Sequence, residues 1–122
     1  MKHERVAILG ASDKPDRYSN RAQHLLTAHG HTVVPVHPAL KQIEGVDVVP
    51  DLSAISGTVD TLTLYVGPAI SSGVADKIVA LKPGRVIFNP GTENPGLQST
   101  LDSAGIPWEE ACTLVLLNTG QY

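Results

Sequence analysis

The residues best suited to bind a charged ligand lie near the start of the chain, where the apolar run 6–9 ends in Gly10, Ala11 and Ser12. A polar, basic segment follows, which contains Lys14, Arg17, Ser19 and Arg21. A tight turn between a strand and a helix directs free backbone N–H groups to one point, where the helix dipole adds partial positive charge. The segment therefore predicts a phosphate site. We expect a valine at position 10 to block a phosphate before it prevents folding.

Three other sets of residues belong to types that can act as nucleophiles, metal ligands or acid–base groups. Cys112 is the only thiol, and no histidine lies near it at a spacing typical of a nucleophile, so a small buried residue is favoured. His29 and His31 lack a carboxylate or cysteine at a matching metal-ligand spacing and are expected at the surface. Glu93 and Glu110 are interpreted as capping or surface charges. The sequence thus predicts no catalytic residue and no metal site.

The composition restricts the class of protein. The chain has 122 residues, 42% of them hydrophobic and 17% charged, which predicts one globular domain over residues 1–122. A net charge of −3 gives no reason to expect nucleic acid or an anionic membrane as a partner. We find no apolar run of membrane-spanning length and no leader-like start, and the single cysteine excludes an internal disulfide. A cytoplasmic protein is expected.

Apolar runs alternate with helical patterns along the chain, which is typical of an α/β fold with a mainly parallel sheet. The predicted strands of a five-stranded sheet are 5–9, 32–36, 61–65, 85–88 and 106–109, with a short edge strand at 46–49. The predicted helices are 19–29, an apolar stripe from Ile70 to Leu81, and 95–104, with a helical turn at 51–55. Residues 114–117 are too short to assign. Together these elements predict a Rossmann-like three-layer sandwich.

Four loops should meet at the edge formed by the carboxyl ends of the strands. They span 10–19, 37–41, 66–72 and 89–94, and all are rich in Gly, Pro, Ser or Asn. Open α/β sheets bind ligands at this edge. The Gly-x-Gly-x-x-Gly pattern of dinucleotide-binding folds is missing after Gly10, and no acidic residue ends the second strand. NAD is therefore disfavoured, and the basic loop favours a ligand with more phosphate.

Several segments in this order resemble the small single-domain CoA-binding proteins, whose Rossmann-like domain is also the CoA-binding part of the succinyl-CoA synthetase alpha subunit. The matching segments are AILGAS at 7–12, KPDR at 14–17, SNR at 19–21, VPVHP at 34–38, IEG at 43–45, NPGTE at 89–93 and EACT at 110–113. The resemblance covers nearly the whole chain. The phosphorylated histidine of the synthetase belongs to a second domain outside this match, so ligase activity is not expected.

The resemblance implies non-covalent binding of coenzyme A (CoA) or an acyl-CoA, with a role for each matching position. The phosphates would be lined by Gly10, Ala11, Ser12, Ser19 and Arg21, and the pyrophosphate or 3′-phosphate met by Arg17 and Lys14. The adenine would be walled by Val36, His37 and Pro38, with Lys41 near the adenosine end; the family usually has asparagine at position 37. The adenosine or pantetheine would be flanked by Tyr65, Val66 and Gly67, and the pantetheine arm bordered by Asn89, Pro90 and Gly91.

Three other functions remain open on the sequence. The chain could be a small CoA-thioester enzyme that uses Glu93 or Cys112. It could instead be a regulatory domain that binds NAD or an adenine nucleotide. It could also be an interaction domain whose loops bind no small molecule.

Overall fold

The computed structural model describes residues 2–122, so Met1 lies outside the described part. The strands are β1 (Arg5–Leu9), β2 (Thr32–Val36), β3 (Gln42–Ile43), β4 (Val46–Asp47), β5 (Thr61–Leu64), β6 (Arg85–Phe88) and β7 (Trp108–Glu110). The helices are α1 (Tyr18–Ala28), α2 (Pro68–Gly73), α3 (Ala75–Leu81), α4 (Pro95–Ala104) and α5 (Thr113–Asn118), with a 3₁₀ turn at Leu52–Ala54. The main sheet has the order β2-β1-β5-β6-β7, and every pairing in it is parallel.

The buried central strands explain why the sheet is covered on both faces. Successive strand residues point to opposite faces, so a continuously apolar strand must be packed on both. In β1, Ile8 packs in a cluster with Leu26 of α1 and Leu117 of α5. Its neighbour Leu9 belongs to a second cluster, with Ile78 of α3. The helices thus form an outer layer on each face, and the predicted Rossmann-like sandwich with a five-stranded parallel sheet is confirmed.

The segment 46–49, predicted as a short edge strand, joins the edge of the main sheet only in part. Val46 and Asp47 pair instead with β3 in a small antiparallel hairpin, and in this segment Val49 makes only an isolated bridge to Val36 of the main sheet. The hairpin is set by its two-residue turn, because Glu44 and Gly45 both have positive φ angles, 52° and 76°. Such turns match the twist of antiparallel strands.

The helical stripe predicted from Ile70 to Leu81 is interrupted. The backbone leaves helical geometry at Val74 (φ −117°, ψ 13°), which separates α2 from α3. As a result Ile70 is 58% exposed and does not continue the buried stripe that includes Ile78. Residues 114–117, which had no assignment, lie in α5.

Asn94 joins two helices on one face of the sheet. Its side-chain oxygen accepts a hydrogen bond from the backbone N–H of Leu97 (3.1 Å) and caps α4. Its amide nitrogen donates to the hydroxyls of Ser71 (2.8 Å) and Ser72 (3.0 Å) in α2. Asn94 is buried. The residue that caps α4 therefore also fixes α2, which follows β5.

We expect Asn94→Ala to lower the free energy of unfolding by about 2 kcal/mol, since it removes a helix cap and leaves buried partners without their donor. Urea denaturation followed by circular dichroism measures the change. Thr100→Ala, on the exposed side of the same helix, is the control and should change stability by less than about 0.5 kcal/mol. Equal effects of the two substitutions would contradict this role for Asn94.

Candidate functional site

The strand order places a crevice at the carboxyl ends of β1 and β5. From β1 the chain continues through α1 to β2 on one side, whereas β5 continues to α2, α3 and β6 on the other. In an open parallel sheet the two connections diverge at such a reversal of strand order and leave a gap between them. The loop at Gly10 and the loop at Tyr65 border this gap.

Gly10 brings these two loops into close contact. Its φ angle is +90°, and a Cβ atom built at this position would lie 2.8 Å from the Tyr65 carbonyl oxygen and 2.9 Å from Val66 Cγ1. The backbone N–H of Tyr65 donates to the Leu9 carbonyl at 2.8 Å. Position 10 therefore has no room for a side chain. The expectation that valine here would block a phosphate before it prevents folding does not hold, because its side chain would meet the protein's own backbone.

One opening at this edge, the main cleft, has a volume of about 500 Å³, and its lining is about half polar. This volume is within the range of ligand sites. It is lined by Gly10, Ser12, Asp13, Lys14, Arg17, Tyr18, Ser19, His37, Leu40, Tyr65, Val66, Gly67, Pro90, Gly91 and Thr92. The loops after β1, β2, β5 and β6 thus contribute to one opening, as the sequence predicts.

The start of α1 supplies positive charge to the main cleft. Arg17 occupies the N-cap position in an extended conformation, without a side-chain hydrogen bond to the helix end. The loop before it is fixed by Ser12, whose hydroxyl accepts from Lys14 N (3.1 Å) and whose carbonyl accepts from the Asn20 amide (2.9 Å). The exposed side chains of Lys14 and Arg17 therefore add to the positive end of the helix dipole.

A second cleft, of about 490 Å³, adjoins the main cleft and is mostly apolar. It is lined by Leu9, Gly10, Ala11, Val36, His37, Pro38, Pro50, Asp51, Leu52, Val66, Ile70, Val74 and Lys77. Lys77 Nζ lies 2.7 Å from Asp51 Oδ2. Hydrogen bonds from Lys77 and from Ser53 N lower the pKa of Asp51 to about 2, so Asp51 is a carboxylate at neutral pH. This ion pair provides a charged group beside apolar walls.

His37 lies between the two clefts and fixes the loop after β2. Its Nδ1 atom accepts hydrogen bonds from the backbone N–H groups of Ala39 and Leu40, both at 3.0 Å. An asparagine side-chain oxygen makes the same kind of bond to the backbone two residues on. The histidine that stands where the resembling family usually has asparagine therefore performs a similar local role. Because Nδ1 accepts two bonds, the ring hydrogen of the neutral form resides on Nε2.

A third cavity, of about 230 Å³, is lined by Tyr18, Tyr65, Asn89, Pro90 and Cys112 and is mostly apolar. Burial raises the pKa of Tyr65 to about 12, so its hydroxyl is neutral and can donate a hydrogen bond.

The polar atoms of Asn89 are used inside the fold. Its amide nitrogen donates to Thr63 Oγ1 (2.6 Å) and to the Leu64 carbonyl (2.8 Å). Its side-chain oxygen accepts from Thr113 N at 2.9 Å. Asn89 is buried and thus ties β6 to β5 and to the start of α5. In the third cavity Asn89 therefore forms part of the wall.

The structure brings most of the predicted site residues to one edge of the sheet. The clefts and the third cavity are lined by Gly10, Ala11, Ser12, Lys14, Arg17, Ser19, Val36, His37, Pro38, Tyr65, Val66, Gly67, Asn89, Pro90 and Gly91. Arg21 and Lys41 are exposed and do not line these three openings. Arg21 lies over the Tyr18 ring, 5.5 Å from its centroid, one helical turn beyond Arg17. It therefore borders the site through Tyr18.

Sequence reasoning missed several residues of the lining. Tyr18 is 66% exposed between the two predicted residues Arg17 and Ser19, and an aromatic residue at a helix start beside a basic loop was an available signal. Ile70, Val74 and Lys77 follow β5, and the periodicity of this segment favoured a buried helix. Their contribution depends on the break at Val74, which the apolar pattern does not show.

The two carboxylates Glu93 and Glu110 form hydrogen bonds within the fold. Glu93 Oε1 accepts from Gly91 N, and Glu110 Oε2 accepts from the Gln98 amide, both at 2.9 Å. Cys112 is half-buried. Within residues 2–122 there is no group of three or more His, Cys, Asp or Glu side chains placed to hold a metal ion. The same residues contain no helix that is both long and apolar enough to cross a membrane.

Comparison with known proteins shows the family. Residues 4–118 match the family described as CoA binding domain. The chain belongs to this CoA-binding domain family. A solved structure of an uncharacterized protein superimposes over 100% of both chains, with 38% identity and a TM-score of 0.93.

Two further proteins are similar to this chain in sequence or in fold. An uncharacterized Bacillus subtilis protein, YneT, is 30% identical over 79 residues, which span 65% of this chain and 58% of that relative. A dinucleotide-forming acetyl-coenzyme A synthetase from Ca. Korarchaeum cryptofilum, solved with phosphate and ADP, shares the fold. There the identity is 20% and the TM-score 0.75, over 86% of this chain and 25% of the synthetase. The same fold therefore also occurs as one part of a larger chain.

We expect Gly10→Ala to destabilise the CoA-binding domain by at least about 1 kcal/mol more than Gly91→Ala. Both glycines have φ of +90°, so both substitutions carry the cost of a strained backbone, on the order of 1–3 kcal/mol. Position 91 has nothing within 4 Å of a Cβ atom, whereas position 10 has the Tyr65 carbonyl. Urea denaturation measures the free energy of unfolding of both variants, and the difference between them is the cost of the clash with the Tyr65 carbonyl. Equal losses of stability would contradict this clash.

Proposed function

We propose that this domain binds coenzyme A or an acyl-CoA without forming a covalent bond, with the phosphates in the main cleft. The order of polarity along the sheet edge carries the proposal. The half-polar main cleft shares His37 and Val66 with the apolar second cleft, and shares Tyr18, Tyr65 and Pro90 with the apolar third cavity. CoA has the same order of groups: an adenine ring, then phosphates, then a weakly polar pantetheine arm.

The phosphates would bind at the turn after β1. Gly10 leaves the backbone open on the side of the cleft, and α1 presents N–H groups that lack a side-chain cap. Lys14 and Arg17 supply exposed positive charge, and a charge-assisted bond from arginine to phosphate is strong. Ser19 is buried in the first turn of α1 and lines the same cleft.

The adenine ring would bind in the second cleft. Val36 and Pro38 offer apolar surface at the end of β2, and the Nδ1 bonds of His37 hold this loop in place. A flat, mostly apolar ring gains free energy when it leaves water for such a surface. The charged pair of Asp51 and Lys77 at the same cleft supplies polar partners for the edge of the ring or for the ribose.

The pantetheine arm would run from the end of β1 towards the end of β6. Neighbouring strands lie about 4.8 Å apart, so β1 and β7 are separated by roughly 14 Å along the edge. Pro90 and Gly91 border this path and belong to the main cleft. An extended arm that starts at Gly10 would therefore span up to roughly 14 Å along the edge to reach the third cavity.

We expect CoA to stabilise the protein more than NAD does at equal concentration. At a free ligand concentration of about 100 times the dissociation constant, the gain in the free energy of unfolding is roughly 2.7 kcal/mol. The second strand ends without an acidic residue for the ribose diol of NAD, and its loop is held by His37. Thermal unfolding with CoA, dephospho-CoA, NAD or ADP makes the comparison. Stabilisation by NAD that equals or exceeds that by CoA would refute the proposed function.

We expect Arg17→Ala to weaken CoA binding by about 10- to 100-fold, the range of a charge-assisted bond to phosphate, because Arg17 lines the main cleft. Arg21→Ala is the matched comparison: it removes the same charge one turn away and should cost much less affinity. Isothermal titration calorimetry measures both. Equal losses would instead place Arg21 among the phosphate ligands. If Arg17 meets the 3′-phosphate, its substitution should cost little affinity for dephospho-CoA.

A further inference from the structure

The third cavity continues the main cleft beyond the end of the proposed pantetheine path. It shares Tyr18, Tyr65 and Pro90 with the main cleft and extends to Cys112, which follows β7. Strand β7 is the last in the sheet, at the opposite edge from β2. If the adenine lies near β2, the thiol end of CoA faces this cavity. A group attached to that thiol would enter it.

The lining of the third cavity limits the charge of such a group. Two tyrosine rings, a proline ring and a thiol form its walls, and no charged side chain of residues 2–122 lines it. The amide of Asn89 is already bonded on both sides, to Thr63 and to Thr113. A carboxylate that entered would lose its water without gaining a charged partner, which is costly. The cavity therefore suits an uncharged group.

The Tyr65 hydroxyl adds no polar atom to the wall of the third cavity. It is enclosed by protein and lies near the hydroxyls of Thr63 and Thr113, which bond to each other at 2.9 Å. Tyr65 therefore lines the cavity with its ring, which leaves the wall uncharged and mostly apolar.

The volume limits the length of the group. At about 30 Å³ for each water-sized group, 230 Å³ holds roughly seven non-hydrogen atoms. We infer that the third cavity binds a short, uncharged acyl group of about two to five carbons, attached to CoA as a thioester. This inference rests on the proposed function, since the acyl group is positioned by bound CoA.

The test measures dissociation constants by isothermal titration calorimetry for CoA and for its acetyl, butyryl, decanoyl and succinyl thioesters. Each methylene that the cavity buries should tighten binding roughly fourfold relative to CoA, as far as butyryl-CoA. Decanoyl-CoA should bind no more tightly than butyryl-CoA, and succinyl-CoA should bind more weakly than it. This series uses the unaltered protein.

Cys112→Leu fills the third cavity and should reduce the ratio of butyryl-CoA affinity to CoA affinity to about one. Val115→Leu is the matched control, because it enlarges an exposed residue of α5 and should preserve the ratio. Thermal unfolding shows whether both variants fold. If Cys112→Leu does not fold, the series of thioesters measured on the unaltered protein tests the inference.

The outcomes separate the two proposals. If CoA binds and all thioesters bind equally, or if succinyl-CoA matches butyryl-CoA, the acyl inference is overturned and the proposed function stands. If neither CoA nor any thioester binds, both are overturned.

Discussion

The contact between Gly10 and the Tyr65 carbonyl is the constraint on which this edge of the sheet depends. A Cβ atom at position 10 would lie 2.8 Å from that oxygen, so β1 and β5 can pair to their ends only if this residue is glycine. The two chains then diverge, one to α1 and the other to α2. The gap between them becomes the main cleft, and the glycine that permits the packing also leaves backbone exposed to a ligand.

The three openings differ in polarity because different helices, strands and loops line each of them. The main cleft receives the start of α1, with its uncapped N–H groups and the side chains of Lys14 and Arg17. The second cleft receives the apolar end of β2 and the exposed side of α2, and the third cavity receives rings from the start of α1 and from the ends of β5 and β6. Two cationic side chains, Lys14 and Arg17, are thereby placed at the centre of the edge, whereas the charges at the second cleft, Lys77 and Asp51, pair with each other. A ligand with central phosphates fits this distribution better than one with charge at its ends.

Local patterns predicted most of the fold because the same residues decide the local and the global structure. The apolar runs of β1, β2, β5 and β6 are buried on both faces, and Asn94-Pro95 starts α4 as its capping chemistry requires. The break at Val74 and the hairpin at Glu44-Gly45 were missed, since the first depends on packing and the second was hidden in a short polar segment. Tyr18 and Lys77 were missed because a lining residue is defined by contacts between distant segments.

The predicted site residues divide into those whose polar atoms the fold uses and those whose polar atoms remain outside it. The amide of Asn89 forms hydrogen bonds with Thr63, Leu64 and Thr113, and Nδ1 of His37 accepts hydrogen bonds from its own loop. Arg17 has no such bond at the helix start and extends into solvent at the main cleft. Sequence motifs do not distinguish the two kinds, because both stand in the same loops. The division matters for the proposed specificity. Residues of the first kind set the shape of the openings, and in the proposed binding mode the exposed cations and the N–H groups at the start of α1 would recognise phosphate.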